Sequence, residues 1–450
     1  MKAFVRTLVA SSLAAALLVI PVAGDATDDL PDAEPVPPVV EQSGVDVGPR
    51  AEPAVEVDPG RQFELVGVTW DREDATSAAP VQVRVRDLAG GWSEWTTLGL
   101  AEDPAQPGTV EAAASRPATE LLWVGHAEAV QVRSVTARDL GPARVEMIDP
   151  GTSRNDAAVA TSPAGAAYAA LPGQPPIVTR AEWGADESLR NCTPTVSPTL
   201  KAAVVHHTVG SNTYSASESA AVVRGIYAFH TQSRGWCDVG YNYLVDRFGT
   251  IFEGRYGGVD QNVIGAQVGG FNTSTLGVSM MGTFTDVAPP AATVEAIARL
   301  LAWRLGSMYI DPSSTVALVS AGNSKYPAGA TVTVPRIVGH RDLYQTECPG
   351  NTGYQSLPTI RARVQALVGA SFRDSPIYQR WQALGGSGGT LGDVFVGEKL
   401  VAGGLSTQFR TGSLHWSAAT GVQPTMYGNN ARYTALGGPA SSLGFPTSAE

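Results

Sequence analysis

The sequence predicts a multidomain protein: a central α/β domain, an all-β sandwich before it and a repeat region after it. Three observations carry this. At 450 residues the chain is too long for one core. Apolar residues alternate in steps of two between about 61 and 150, whereas between 176 and 368 strand-like runs are mixed with helical spacings. Finally, a glycine-rich motif in the tail recurs after 52 residues.

The elements follow in chain order. Residues 1–24 have the layout of a secretory signal peptide. Lys2 and Arg6 precede an apolar run from about Leu8 to Ile20, and cleavage is expected near Ala23 or Gly24. Residues 25–60 are rich in Pro, Asp, Glu and Val without a period, which predicts a disordered spacer. In 61–150, "VQVRVR" sets Val81, Val83 and Val85 on one face and Gln82, Arg84 and Arg86 on the other, as a half-buried strand requires. "AVQVRSV" repeats the pattern, and turn residues separate several such strands. Trp92 and Trp95 would face opposite sides of a regular strand; packing is their expected role, with sugar stacking as the alternative. Residues 151–175 are small and proline-punctuated, a linker.

Within 176–368, "KAAVVHHTV" predicts a buried strand and "SASESAAVVRGIYAFHTQ" a helix. "YNYLVDRFGTIFEG" predicts a hairpin turning near Phe248 and Gly249, and "STLGVSMMGTF" another strand. Val294, Ile297, Leu301, Leu305 and Met308 mark one face of an amphipathic helix. In 369–450, "QALGGSGGTLG" and "TALGGPASSLG" are the two copies of the repeat, the last incomplete.

Composition narrows the function. With 31 basic and 42 acidic residues the net charge is −11, which argues against nucleic acid or an acidic membrane surface as the main partner. No stable membrane span is expected once the signal is cleaved. Three cysteines in an exported chain leave one of Cys192, Cys237 and Cys348 without an internal partner.

"GHRDLYQTECPG" holds His340 and Cys348 eight residues apart. Imidazole and thiolate suit zinc, and a catalytic zinc keeps three protein ligands and one open position. A third ligand could come from "VVHHT", where His206 and His207 point to opposite faces of a strand and so would not serve one ion together. Spacing alone leaves the choice open between a metal site and a satisfied loop histidine beside a buried or intermolecularly bridged thiol.

Five ordered stretches, "RAEWGA", "VVHHTVGSN", "GWCDVGYNYLVDRFGTIFEGR", "IGAQVGGFNTSTLGVSMMGTF" and "GHRDLYQTECPG", resemble the zinc-dependent N-acetylmuramoyl-L-alanine amidases of the peptidoglycan recognition protein and amidase-type phage lysozyme family. The resemblance implies a mixed sheet flanked by helices, and one zinc ion held by His206, His340 and Cys348. It implies catalytic roles for Tyr241 and Thr346, and a Cys192–Cys237 disulfide that leaves Cys348 as thiolate. It also implies peptidoglycan as partner, with hydrolysis of the bond between N-acetylmuramic acid and L-alanine. A non-catalytic peptidoglycan binder using the same groove is the alternative. Candidate substrate contacts are Gln267, Asn272 and His207, the last with packing behind the site as its competing role; His230 is expected to be structural. The chain has "EGRYGG" where many animal relatives have "EGRGW", and Gln267 where they have histidine in "GAH". Those departures bear on recognition of the third stem residue. The tail resembles the LGFP repeats of secreted actinobacterial proteins, which implies attachment to a Gram-positive cell wall.

Overall fold

The computed structural model describes residues 35–449 apart from 50–52, 75, 102–104, 137–138, 161–172, 370 and 402. The signal peptide, the first part of the spacer and the middle of the second linker lie outside the described residues. Among the described residues no helix is long and apolar enough to cross a membrane.

Nine strands form the N-terminal β domain. Its main path runs Val39–Asp46, Pro142–Asp149, Phe63–Thr69, Leu122–Ser134, Val81–Asp87, Thr96–Leu98. The alternation in "VQVRVR" is realised, with Val81, Val83 and Val85 buried together with Phe63, Val68, Trp70 and Val145. Two expectations change. Part of the predicted spacer is ordered: Val39–Asp46 pairs antiparallel with Pro142–Asp149 over eight positions, and Val55–Val57 pairs with the long strand Leu122–Ser134. Neither segment has a strand period of its own; pairing with a patterned neighbour supplies the backbone hydrogen bonds. Trp92 and Trp95 lie before the regular strand begins at Thr96, and both indoles stack on Arg84 at 5.2 and 4.8 Å. Arg133 covers Trp95 at 4.0 Å, so the pair packs between arginines.

The central domain holds a five-stranded mixed sheet of β1 (Ala202–His207), β2 (Tyr243–Val245), β3 (Ile251–Glu253), β4 (Thr275–Met280) and β5 (Ile337–Gly339). The order is β3-β2-β4-β1-β5, antiparallel only between β2 and β3. The predicted hairpin is this β2–β3 pair, with Gly249 at φ +90° in its turn. Helix α1 (Ser219–Ala228) covers one face; α2 (Ala291–Ser307) and α3 (Leu357–Val368) cover the other. Ile297, Leu301 and Leu305 are fully buried there, as the helical spacing requires.

The flanking domains are packed on, not strung out. Leu65, Trp123 and Ile148 of the β domain share a core with Val222, Ile226 and Phe229. A Cβ on Gly225 would lie 2.4 Å from Leu65 Cδ1, so glycine allows the two domains to meet. Arg224, buried, donates to Pro150 O, Gly151 O and both oxygens of Asp156. The start of the second predicted linker is therefore a short helix, Asp156–Ala160, tied to α1.

The tail forms a four-stranded antiparallel sheet: Val394–Val401, Gly404–Phe409, Gly412–Ser417 and Gly421–Met426. The 52-residue repeat is a backbone repeat as well. Gly385 and Gly437 have φ 98° and 99°, Gly386 and Gly438 both 57°. Trp381 Nε1 donates to Gly392 O, and Tyr433 Oη donates to Gly444 O.

Candidate metal centre

The site forms where parallel strands end. β1 is rich in valine and fully buried, as a central parallel strand must be. Its neighbour β5 pairs Val205 with Gly339, so the next residues, His206 and His340, leave the sheet side by side. Their ring centroids are 4.5 Å apart. Openings beyond the carboxyl ends of parallel strands are where α/β sheets bind ligands.

Cys348 returns to this point on the loop after His340. Arg341 N–H donates to Cys348 O at 2.9 Å, and Cys348 N–H donates to Thr346 Oγ1 at 2.8 Å. Cys348 Sγ lies 3.7 Å from His206 Nδ1, and one ligand atom from each of His206, His340 and Cys348 lies within 4.8 Å of the others. Four-coordinate bonds of about 2.0–2.3 Å place ligand atoms roughly 3.3–3.8 Å apart, so small side-chain adjustments let all three reach one ion.

The groups behind the triad prepare it for a cation. His206 Nε2 lies 2.6 Å from Gln267 Oε1, while Gln267 Nε2 donates to Thr275 Oγ1 at 3.0 Å. That second bond leaves Oε1 as the acceptor, which assigns the His206 proton to Nε2 and turns the Nδ1 lone pair toward Cys348. His207 N–H reaches Cys348 Sγ at 3.4 Å, a contact that favours thiolate. Burial depresses the His206 pKa to about 3, against the Gln267 bond and with His207 adding to the fall. Burial, then His206 and His207, hold His340 well below the ordinary value. Both imidazoles are neutral ligands at physiological pH.

Tyr241 stands at the rim, half-buried, its ring 5.4 Å from that of His206. Each residue of "GYN" has a reason. A Cβ on Gly240 would lie 2.5 Å from Ala266 O, and Gly240 N–H donates to His230 Nδ1 at 3.3 Å. Asn242 pins the loop by donating to Val263 O and accepting from Gly277 N–H, both at 2.8 Å. His230 stacks on Trp236 at 4.5 Å and holds this loop.

The predicted site residues divide by position. His206, His340, Cys348, Tyr241 and Thr346 line one cleft of about 310 Å³. His207 and Gln267 border the same cleft, but the His207 ring turns to the other side of β1, where its Nδ1 accepts from Phe284 N–H at 3.2 Å. Gln267 and Asn272, expected as substrate contacts, are fully buried. Gln267 backs His206, and Asn272 Oδ1 accepts from Gln267 N–H and Val268 N–H. Their amide groups are used up inside the fold and make the platform under the triad. Cys192 and Cys237 are joined by a disulfide, and Cys348 is buried and in no disulfide. What sequence reasoning missed is that residues 99–101 and 119–121 of the β domain line the same cleft. No motif there points to it.

Comparison with known proteins agrees with this geometry. Residues 197–351 match the family model described as N-acetylmuramoyl-L-alanine amidase, and residues 26–166 match one described as Rv3811 N-terminal galactose-binding domain-like. Peptidoglycan recognition protein 1 of Bos indicus is 32% identical over 180 residues, which are 40% of this chain and 80% of that protein. Peptidoglycan-recognition protein SC2 of Drosophila melanogaster is 31% identical over 185 residues, 41% of this chain and 85% of that one. Among solved structures, wild-type Drosophila PGRP-LB aligns with a TM-score of 0.33 and 25% identity, covering 41% of this chain and 93% of that one. With the matched segment spanning every residue of the triad, the chain belongs to the N-acetylmuramoyl-L-alanine amidase and peptidoglycan recognition protein family.

Proposed function

We propose that this protein is an exported, zinc-dependent N-acetylmuramoyl-L-alanine amidase that hydrolyses the amide bond between N-acetylmuramic acid and L-alanine in peptidoglycan. The observation that carries the reading is the convergence of His206, His340 and Cys348 beside Tyr241. Two neutral imidazoles and a thiolate are a borderline-soft donor set, the chemistry zinc prefers over magnesium or calcium. A bound zinc ion would supply a water of lowered pKa and polarisation of the scissile carbonyl.

The chain's own groups do the rest. Gln267 keeps His206 in its ligating tautomer. The Tyr241 hydroxyl, at the rim, donates to the oxygen on which negative charge develops, an interaction typically worth about 3–4 kcal/mol. Thr346 shapes the Cys348 loop through its Oγ1 and can donate its own proton into the cleft. The N-terminal signal supports export, and the tail, as LGFP-like repeats, supports attachment to a Gram-positive wall.

The relatives' name, recognition protein, supports a second reading: the same groove binding peptidoglycan without turnover. Metal analysis combined with digestion of purified peptidoglycan separates the two. The amidase reading expects about one zinc per chain and release of free stem peptides beginning at L-alanine; a zinc-loaded protein that releases none is a binder. Products cut within the stem would identify a peptidase instead.

A further inference from the structure

The cleft has a wall that the central domain does not build. In the β domain the short strand Leu100–Ala101 pairs with Ala118–Thr119, and this ribbon carries Glu120 and Leu121 to the cleft that holds the triad. Glu120 is half-buried there. Its Oε2 accepts from Gly99 N–H at 3.1 Å, the one hydrogen bond its carboxyl makes among the described residues, and no cation pairs with it. A Cβ on Gly99 would lie 3.0 Å from the same oxygen, so glycine lets the carboxyl close against the backbone. The ribbon is fixed to the catalytic side. Glu111 meets Arg255 at 2.8 Å, Trp236 Nε1 donates to Ser115 Oγ at 2.9 Å, and Arg116 N–H donates to Arg234 O at 2.9 Å.

We propose that the β domain forms one wall of the substrate-binding cleft, and that Glu120 is its substrate contact. As a neutral acid it donates a hydrogen bond to a carbonyl or hydroxyl oxygen of the muramoyl peptide. The identity of the substrate rests on the amidase reading; the wall does not. A carboxyl set in a cleft with a single backbone hydrogen bond and no ion pair among the described residues is a functional-site signature. Burial, against the Gly99 bond and with Glu347 adding to it, pushes Glu120 up to about 7. The titratable and charged groups that border the cleft with it are Glu347, Arg234, Tyr241, Cys348 and four histidines, of which His207 turns its ring to the other side of β1. Burial keeps His206, His207, His230 and His340 neutral, so Glu120 is a side chain that changes charge near neutral pH, as a zinc-bound water in the same cleft would. On ionising it loses its donor proton, and binding weakens as pH rises.

The test uses the full zinc-loaded chain and a soluble N-acetylmuramoyl pentapeptide. Glu120→Ala should raise KM about tenfold, the worth of one good hydrogen bond, with kcat changed less than about threefold. The wild-type KM should climb through neutral pH, whereas Glu120→Gln, which keeps a donor and cannot ionise, should climb less, by the share that Glu120 contributes. An unchanged KM in a folded Glu120→Ala protein, or a Glu120→Gln profile that climbs like wild type, overturns the proposal. If Glu120→Ala does not fold, the Glu120→Gln profile decides alone. If wild type releases no peptide, the amidase reading fails by itself. Calorimetric titration of the same pentapeptide then tests the wall, and equal affinity for wild type and Glu120→Ala, unaltered by pH, overturns it.

Discussion

Both flanking domains share a hydrophobic core with the central domain, and they do different things with that contact. The N-terminal β domain shares a core with α1 and delivers Glu120 and Leu121 to the cleft. The C-terminal sheet packs against the far end of α2. There Tyr309 Oη donates to Glu398 at 2.6 Å, Ser375 Oγ donates to the same carboxylate, and Asn262 Nδ2 donates to Phe395 O at 2.9 Å. None of the cleft's lining residues comes from 369–449. Position relative to the carboxyl ends of the parallel strands decides which neighbour lines the cleft. Substitutions in one interface should change substrate handling; those in the other should change stability alone.

The largest effect lies in the cleft itself. His340→Ala should lose zinc and at least about 10³-fold in activity together, read by metal analysis and muropeptide release, because the cation is worth several kcal/mol to the transition state. Full activity in that variant would refute the site. Tyr241→Phe should keep zinc and lose about 10²–10³-fold in kcat, the usual cost of one oxyanion donor. A change confined to KM would make Tyr241 a binding group instead.

The C-terminal dock should respond on the stability axis. Tyr309→Phe removes a buried hydrogen bond to a carboxyl and should cost about 1.5–3 kcal/mol in denaturant unfolding, with kcat/KM unchanged. The dock also has a pH dependence. Burial raises the Glu398 pKa in spite of its bonds to Ser375 and Tyr309. The folded value lies above the unfolded one, so its stabilisation is complete below about pH 4.5 and is lost as pH rises through the folded value. Glu398→Gln should remove that slope; an unaltered slope would assign it to another group. The smallest effect belongs to Arg363→Ala. Arg363, helped by Arg299, draws the Glu295 pKa down to about 2 on the partly exposed α2–α3 surface. Its loss should cost about 0.2–1 kcal/mol above pH 4.5, a difference that shrinks as pH falls toward 2.

Much of the catalytic segment was legible. The parity of β1 predicts that His206 and His207 diverge, and they do: one joins the triad and the other bonds Phe284 N–H on the opposite face. The odd cysteine is Cys348 because Cys192 and Cys237 are bridged. Other features left no trace in the chain. Val39–Asp46 has no alternation and is a strand because Pro142–Asp149 lies beside it. Gln267 is in a substrate-side motif by resemblance, yet its amide is satisfied between His206 and Thr275. Which side of a loop an amide faces depends on its partners, and those are 61 and 8 residues away.

By itself the sequence determined what is local or periodic: the strand and helix faces, the hairpin turn, and the 52-residue spacing of the repeat. Only the tertiary structure decided how the β1–β5 register sets two distant histidines side by side, which tautomer one of them adopts, and that a separate domain walls the cleft. Those outcomes depend on contacts between segments tens to hundreds of residues apart, where periodicity carries no information and packing chooses the neighbour.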